Sequence, residues 1–485
     1  MRNITTTLRS RQQPLALPIR LDRTLRGQSQ QVHAALRSAI VEGQLAPGTK
    51  LPSSRNLAEQ LAVRRNAIVS AYEQLLSDGL VDAKHGAGTY VAAELPAPTI
   101  VPPKVQVTIA SSDRGAFSLG HTHVDPRLLQ RLALALRRRV STAKPDGLGY
   151  GDPRGSEHLR NQIALHLAAN RGIRSDPTCV IVVSGTQHAI RLCTDALLSP
   201  ADGVLMEDPG YYAAQTTFRA AGIKLVPVAV DAEGMALPKA RKRLLTAKAA
   251  YVTPSHQFPT GVTMSMPHRV ALLDWAKAAN AWIFEDDYDS EFRYDGPPLT
   301  ALAGLDGERV IYIGTFTKTL FASLRLAYIV APPAVVERAT VARAAIDRFP
   351  PGFMQDAVAD LMANGELAAH MRRMRSRYRE ARDVVAAVLE KTAQGALRVT
   401  APMQGLHMIA YLADGVTTDV ASAIRRKAEV QCKLLSETRL SSRGPEGFIL
   451  GFSGHPLDQL AAAAFRLGTS AREELGQDRR PSRVA

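Results

Sequence analysis

Residues 314–325 read GTFTKTLFASLR and follow the apolar run RVIYIG. Lys318 stands just past that run, with a threonine on either side and Arg325 seven positions on. A lone lysine at a strand end is ordinarily a solvated charge. Its amine attacks a carbonyl only where neighbours lower its pKa and hold the partner molecule in place. Four other stretches offer such neighbours. Ser184-Gly185-Thr186-Gln187 follows the run CVIVV and opens a helical pattern, a turn whose free N–H groups suit a phosphate. It lacks the lysine of a Walker loop, which argues against a nucleoside triphosphate. The stretch EDPGYY offers Tyr211 or Tyr212 to stack on a flat ring, or simply to pack on the core. AAYVTPSHQFPTG ends in a Pro/Gly-rich loop with the polar tips Ser255, His256 and Gln257.

The last stretch, WIFEDDYDSEF, crowds Glu285, Asp286, Asp287 and Asp289 around Tyr288. Three readings fit it: a divalent-cation site, a set of caps and solvated loop charges, or one buried aspartate paired with a protonated heterocyclic nitrogen. Beside a phosphate turn, an aromatic stacker and a buried aspartate, Lys318 becomes a candidate Schiff-base lysine. Thr315, Thr317 and Arg325 add phosphate donors. These are the parts a pyridoxal phosphate site needs.

A second constellation lies near the N-terminus. QSQQVHAALRSAIVE has helical spacing, with Val32, Leu36, Ala39 and Ile40 on one face. LAPGTKLPSS follows, a turn ending in an N-cap signal at Ser53 and Ser54. A short helix over 55–61 and a second over about 65–78 make a helix-turn-helix pattern. LVDAKHGAGTYVAA then predicts a hairpin or wing around His85-Gly86-Ala87-Gly88. At the start of the second helix Arg64, Arg65 and Asn66 suit guanine and adenine edges. Ser53 and Arg55 suit phosphate or a base edge, and Lys84, His85 and Gly86 at the hairpin tip suit the minor groove. Residues 1–95 hold 12 Lys and Arg against 7 Asp and Glu, which supports DNA binding only weakly.

The elements that must carry these residues are legible in outline. A chain of 485 residues exceeds one ordinary core. The segment ELPAPTIVPPKVQV holds four prolines and reads as a semi-rigid connector. The expected plan is a DNA-binding domain over 17–93, a Pro-rich linker over 94–112 and a large domain over 113–475. Apolar runs alternate with helical stretches to about residue 335, which predicts a mostly parallel sheet covered by helices on both faces. From there to 475 helices dominate, and LHMIAYL and GFILGFS suggest a small α+β subdomain. The composition, 46% apolar and 22% charged, is that of a globular protein, with no run of membrane-spanning length and no signal peptide. The three cysteines make neither a zinc-like spacing nor a disulfide framework, so a reducing, cytoplasmic setting fits. The net charge of +15 favours an anionic partner.

The run PGTKLPSSRNLAEQLAVRRNAIVSAYEQLLSDGLV…GAGTYV resembles the winged helix-turn-helix of GntR-type regulators. The ordered set GYGDPRG, SGTQ, EDPGY, TPSHQFPTG, EDDYDSEF and GTFTK…R resembles a fold-type I aminotransferase domain. Together they resemble the MocR-type regulators. The resemblance implies that Lys318 condenses with the aldehyde of pyridoxal phosphate and that Asp286 pairs with its pyridine nitrogen. Tyr288 would contact the phenolic oxygen and Tyr211 would lie near the ring, with His256 close by. Gly185, Thr186, Gln187, Thr315, Thr317 and Arg325 would surround the phosphate. It also implies a head-to-tail homodimer, in which Tyr150 or its neighbours reach the partner's site, and double-stranded operator DNA as partner. Arg439 and Arg443 are the candidates for an effector carboxylate. No metal is expected.

The chain departs from the aminotransferase pattern at Phe258, where an asparagine usually precedes Pro-Thr-Gly, and at GFILGFS, which has no arginine. LFASLRLAY also lacks the usual Pro-Gly of the lysine motif. In the recognition helix, Arg64 and Ala67 stand where hydroxyl residues are usual. The expectation is therefore a regulator that senses pyridoxal phosphate or an amino compound. The alternatives are an active aminotransferase with a DNA-targeting domain, or a structural protein with an inert cofactor fold.

Overall fold

The computed structural model describes residues 19, 21–22, 27–84, 86–95, 115–238, 244–441 and 444–478. The chain divides into two compact units, Met1–Ile109 and Ala110–Ala485. The linker expected at 94–112 lies outside the described residues apart from Glu94 and Leu95.

In the first unit α1 (Gln28–Val41) buries Val32, Leu36, Ala39 and Ile40, the face that their spacing predicts. The Ser53 hydroxyl starts α2 (Ser54–Leu61) by accepting the Asn56 N–H at 3.2 Å. In contrast, α3 (Arg65–Ser77) begins at Arg64 with no side-chain cap. Packing replaces that cap: Ile68, Ala71 and Leu75 are buried against α1, and His33 reaches Asp78 at 2.8 Å. The strands β1 (Val81–Lys84) and β2 (Gly88–Val91) form an antiparallel hairpin. Backbone N–H groups of Leu51 and Gly48 extend it by bonding to Thr89 and Val91 carbonyls at 2.8 and 2.9 Å. Three helices and a wing result, a winged helix-turn-helix.

The second unit is built on eight strands: β3 (Val180–Val183), β4 (Gly203–Asp208), β5 (Lys224–Asp231), β6 (Gly234–Met235), β7 (Ala247–Val252), β8 (Trp282–Asp287), β9 (Val310–Thr315) and β10 (Ala327–Val330). Their order is β3-β10-β9-β8-β7-β4-β5-β6. From β9 through β5 the neighbours are parallel, whereas β10 runs antiparallel to both β3 and β9. The pleat sends Ile181, Met206, Phe284 and Ile313 into one core, and Val182, Leu205, Ile283 and Tyr312 to the opposite face. Burial on both faces explains why these strands read as unbroken apolar runs. Sequence reasoning missed β6 and β10, since β10 is only the four residues AYIV directly after the lysine turn.

A smaller antiparallel sheet follows, of β11 (Leu397–Val399), β12 (His407–Leu412), β13 (Lys433–Leu434) and β14 (Gly447–Gly451), in the order β11-β12-β14-β13. The helices Glu366–Ala393 and Leu457–Asp478 pack into its core. Among the described residues no helix is long and apolar enough to cross a membrane.

Parallel β4, β7, β8 and β9 end on the same side, which brings the turns after them together. The strand carrying the lysine turn depends on Gly314, paired with Tyr328 of β10. A Cβ on Gly314 would lie 2.3 Å from the Tyr328 ring. Gly314→Ala is therefore expected to lower the unfolding free energy by about 1–3 kcal/mol, read from chemical denaturation. An unchanged midpoint would mean that the ring moves aside at no cost.

Candidate functional site

The turns after β4, β7, β8 and β9 wall a cavity of about 170 Å3. Lys318, three residues past β9, lies in that wall and donates from Nζ to the Gly120 carbonyl at 3.4 Å. Burial pushes its ammonium below the ordinary lysine value, while the Asp289 and Asp286 charges oppose that fall. More of the amine is then neutral and nucleophilic.

Asp286, at the end of β8, faces the same cavity. Its Oδ2 accepts the Tyr251 hydroxyl from β7, and its Oδ1 is buried with no hydrogen-bond partner. Burial raises this carboxyl to about 7, against the Tyr251 hydrogen bond, with Asp287 and Asp289 adding to the rise. A buried acceptor without a donor is a site for an N–H or O–H from a bound molecule.

The opposite end of the cavity is a turn for an anion. Gly185 stands before the helix Thr186–Leu197 at φ 143°, with no side chain capping the helix. The first N–H groups of that helix therefore lack acceptors within it. A Cβ on Gly185 would come within 3.1 Å of the Arg325 guanidinium, so the absent side chain leaves room for that cation over the turn. Thr186, Gln187, Thr315 and Thr317 complete this end, and the Thr315 hydroxyl accepts the Thr317 N–H at 3.1 Å. Between the two ends lie aromatic rings. Tyr211 meets Phe258 edge-on at 5.5 Å, and Tyr288 stacks on His407 at 6.5 Å with 22° between planes.

The structure thus brings Lys318, Asp286, Tyr288, Tyr211, Gly185, Thr186, Gln187, Thr315, Thr317 and Arg325 to one cavity. His256 is the exception. It is buried outside the lining, where its Nδ1 faces Asp289 at 3.0 Å and its carbonyl accepts the Tyr288 hydroxyl at 3.0 Å. The imidazole on the wall is His407, whose Nε2 sits 3.0 Å from the Pro259 carbonyl. Tyr150 is 82% exposed, edge-on to Phe349 with Arg348 over its ring, and it and Arg439 are not among the cavity's lining residues. Arg443 and His85 lie outside the described residues. Tyr251, His407, Thr253, Gly120 and Ser453 were not foreseen. The only signal for His407 was a histidine opening an apolar strand.

Four of the carboxylates of WIFEDDYDSEF, Glu285, Asp286, Asp287 and Asp289, take four different tasks. Glu285 accepts the Leu302 and Ala303 N–H groups at 2.8 and 2.9 Å, capping a short helix. Asp287 pairs with Arg171 at 2.8 Å and accepts the Tyr312 hydroxyl at 2.7 Å. Asp289 holds His256, leaving Asp286 for the cavity. His256, Asp289 and His407 bring ligand atoms within 4.8 Å of one another; Asp289 already accepts from the Leu406 N–H and faces His256 Nδ1, and His407 Nε2 faces the Pro259 carbonyl, whereas His256 Nε2 is buried without a partner among the described residues.

On the winged unit Arg55, Arg64, Arg65, Asn66, Lys84 and Gly86 are all exposed. Arg65 Nε donates to the Ser54 hydroxyl at 3.2 Å, and Lys84 lies 5.2 Å over the Tyr90 ring. Ser53 already serves as the cap of α2.

The raised Asp286 pKa has a consequence for stability. A carboxyl that binds its proton more tightly folded than unfolded loses stability as pH rises from about 4 to 7. With no ligand added, Asp286→Asn is expected to be more stable than the parent by about 2–4 kcal/mol at pH 8. The gain should be largely lost by pH 4, where Asp286 is protonated in the folded chain and increasingly so in the unfolded one. A gain equal at both pH values would contradict this assignment.

Comparison with known proteins agrees with this geometry. Residues 115–460 match the family described as Aminotransferase class I and II, and residues 28–91 match Bacterial regulatory proteins, gntR family. The probable rhizopine catabolism regulatory protein MocR of Rhizobium meliloti is 34% identical over 87% of this chain and 90% of its own. The HTH-type pyridoxine biosynthesis transcriptional regulator PdxR of Corynebacterium glutamicum is 31% identical over 89% and 93%. Among solved structures, a kynurenine aminotransferase of Pyrococcus horikoshii superposes with a TM-score of 0.69 at 26% identity, over 75% of this chain and 92% of its own. With a gntR-type winged helix before an aminotransferase class I and II domain, and regulators of that composition similar over nearly their whole length, the chain belongs to the MocR-type family of transcriptional regulators.

Proposed function

We propose that this regulator binds pyridoxal phosphate in the cavity around Lys318 and uses it to sense an amino compound, changing its hold on operator DNA. One observation carries the reading: a reactive lysine, a buried aspartate oxygen with no donor and an uncapped helix start under Arg325 share one small cavity. These features fit the cofactor. Asp286 Oδ1 would accept its ring N–H, and the Gly185 turn with Thr186, Gln187, Thr315, Thr317 and Arg325 would hold its phosphate. Tyr211 would lie against the ring and Tyr288 near its oxygen. When bound, the group supplies an aldehyde carbon open to amines and an electron-withdrawing ring.

The chain's own residues do the rest. Lys318 offers a partly neutral amine, and an incoming amine that displaced it would leave the lysine amine free to take up a proton inside the cavity. Asp286 keeps a ring proton in place, and the aromatic walls exclude water. For this to regulate DNA binding, the effector must bind two states of the protein with different affinity. A cytoplasmic homodimer in head-to-tail arrangement is part of the proposal. It is supported by exposed apolar side chains at Leu134, Val140, Leu148, Tyr150 and Val341. An active aminotransferase is the second reading. Phe258 on the cavity wall, and a strand β14 with no arginine and no residue in that wall, favour sensing over turnover.

Adding pyridoxal phosphate to purified protein should give a visible absorbance band that borohydride removes, and Lys318→Ala should abolish it. Steady turnover of an amino acid with a keto acid would favour the enzyme reading, and no band at all would overturn cofactor binding. On the DNA side, Arg65→Ala should weaken operator binding by about 1–3 kcal/mol and relax specificity. Lys84→Ala should weaken operator and unrelated DNA alike and reduce the salt slope by about 1. Equal specificity in Arg65→Ala and its parent would remove Arg65 from base reading.

A further inference from the structure

Charge is unevenly distributed around the cavity. The lysine and arginine side chains that line it are Lys318 and Arg325, and Arg325 sits over the Gly185 turn. Apart from Asp286, much of the remaining wall is apolar or aromatic, with Leu119, Tyr212, Phe258 and Leu406 beside the imidazoles of His121 and His407. None of β14 reaches it, and the first wall residue after β14 is Ser453, whose hydroxyl donates to the His121 carbonyl at 2.6 Å.

His407 gives this wall a direction. Its Nε2 lies 3.0 Å from the Pro259 carbonyl, which can only accept, so Nε2 carries the hydrogen. The Nδ1 atom then has a lone pair and no hydrogen. Among the described residues no hydrogen bond to Nδ1 is formed, and His407 lines the cavity. Burial pushes the imidazolium down to about 3, so the ring is neutral at physiological pH. Stacking on Tyr288 and contact with His256 at 4.9 Å fix its plane. A carboxylate here would meet a lone pair, with the buried carboxyls Asp286 and Asp289 nearby; the cations of the wall are Lys318, which is the place of the amine itself, and Arg325, held over the Gly185 turn. A hydroxyl or amide N–H would meet an acceptor already oriented.

We infer that the effector cavity takes a primary amine bearing a neutral hydrogen-bond donor, an amino alcohol rather than an α-amino acid, with His407 Nδ1 accepting that donor. This deepens the proposed function and rests on its reading that an amine reacts at the Lys318 site. Lys318 marks the place of the amine. His407 sets which group sits beside it, so it is a specificity residue.

The test uses three amines of one carbon skeleton: L-alaninol, L-alanine and isopropylamine. Each is titrated into the full chain loaded with pyridoxal phosphate, with affinity read from the visible spectrum and from calorimetry. L-alaninol is expected to bind about tenfold tighter than isopropylamine, the worth of one good hydrogen bond, and tighter than L-alanine. His407→Phe keeps a ring against Tyr288 but removes the lone pair. It should abolish the L-alaninol advantage and leave isopropylamine unchanged. His407→Asn, whose amide oxygen takes the place of Nδ1, should retain most of that advantage. The inference is overturned if L-alanine binds tightest to the parent protein, or if His407→Phe weakens isopropylamine as much as L-alaninol. A loaded protein that responds to none of the three overturns amine sensing itself, and failure to load at all overturns the cofactor reading beneath it.

Discussion

Asp286 is a carboxylate taken out of water and given one hydrogen bond where it has room for more. Tyr251 satisfies one oxygen, and the other is buried without a donor. Leaving such an acceptor unmet costs on the order of 1–3 kcal/mol, and here burial already drives the carboxyl to about 7. A fold that retains this group holds strain that a bound N–H relieves. The elements around it follow from that need. β7 brings Tyr251, β9 brings the lysine turn, and the parallel arrangement ends all three strands on one side.

The pleat is what keeps four neighbouring carboxylates from acting as one. Asp286 shares a face with Phe284, and Glu285 and Asp287 turn to the other, where helix N–H groups and Arg171 meet them. Asp289, past the strand, is left for His256. That pair in turn shapes the floor of the cavity. Gly405 runs so close to the His256 ring that a Cβ would lie 2.0 Å from it. The absence of a side chain there lets β12 bring His407 onto Tyr288. One buried histidine thus places another at the wall, although neither is adjacent to the other in sequence.

These relations explain what the sequence disclosed. The buried face of the first helix was legible to the residue because it repeats at helical spacing and nothing else competes. Strands buried on both faces stood out as apolar runs, and the turns after them as clusters of polar residues and glycine. Lys318, Asp286 and the Gly185 turn were found because each sits at such a junction. His256 was misplaced because a polar loop tip says nothing about which way the side chain turns, and the Asp289 carboxylate 33 residues away decides it. His407 and Tyr251 were invisible for the same reason: each is an apolar-strand residue whose role comes from a partner distant in the chain. Short β10 and β13 left too few residues for a period.

The cavity is also a joint within the second unit. The large sheet contributes Lys318 and Asp286, and the small sheet contributes Leu406 and His407. Hydrogen bonds cross between them at several points: Asp289 accepts the Leu406 N–H, and Pro259 meets His407. Farther out, Asp208 accepts the Leu440 and Ser441 N–H groups at 2.9 and 3.0 Å, and the Thr438 carbonyl accepts from Gly210 and Gln215. A molecule that bonds to both walls changes the balance of this seam, because its free energy of binding depends on how the two sheets meet. That is the physical form a differential affinity can take in this fold. A ligand held only by the Lys318 side would bind without altering the seam, and so would carry no signal. The proposed sensing therefore calls for the second wall, where His407 is the polar side chain that β12 supplies.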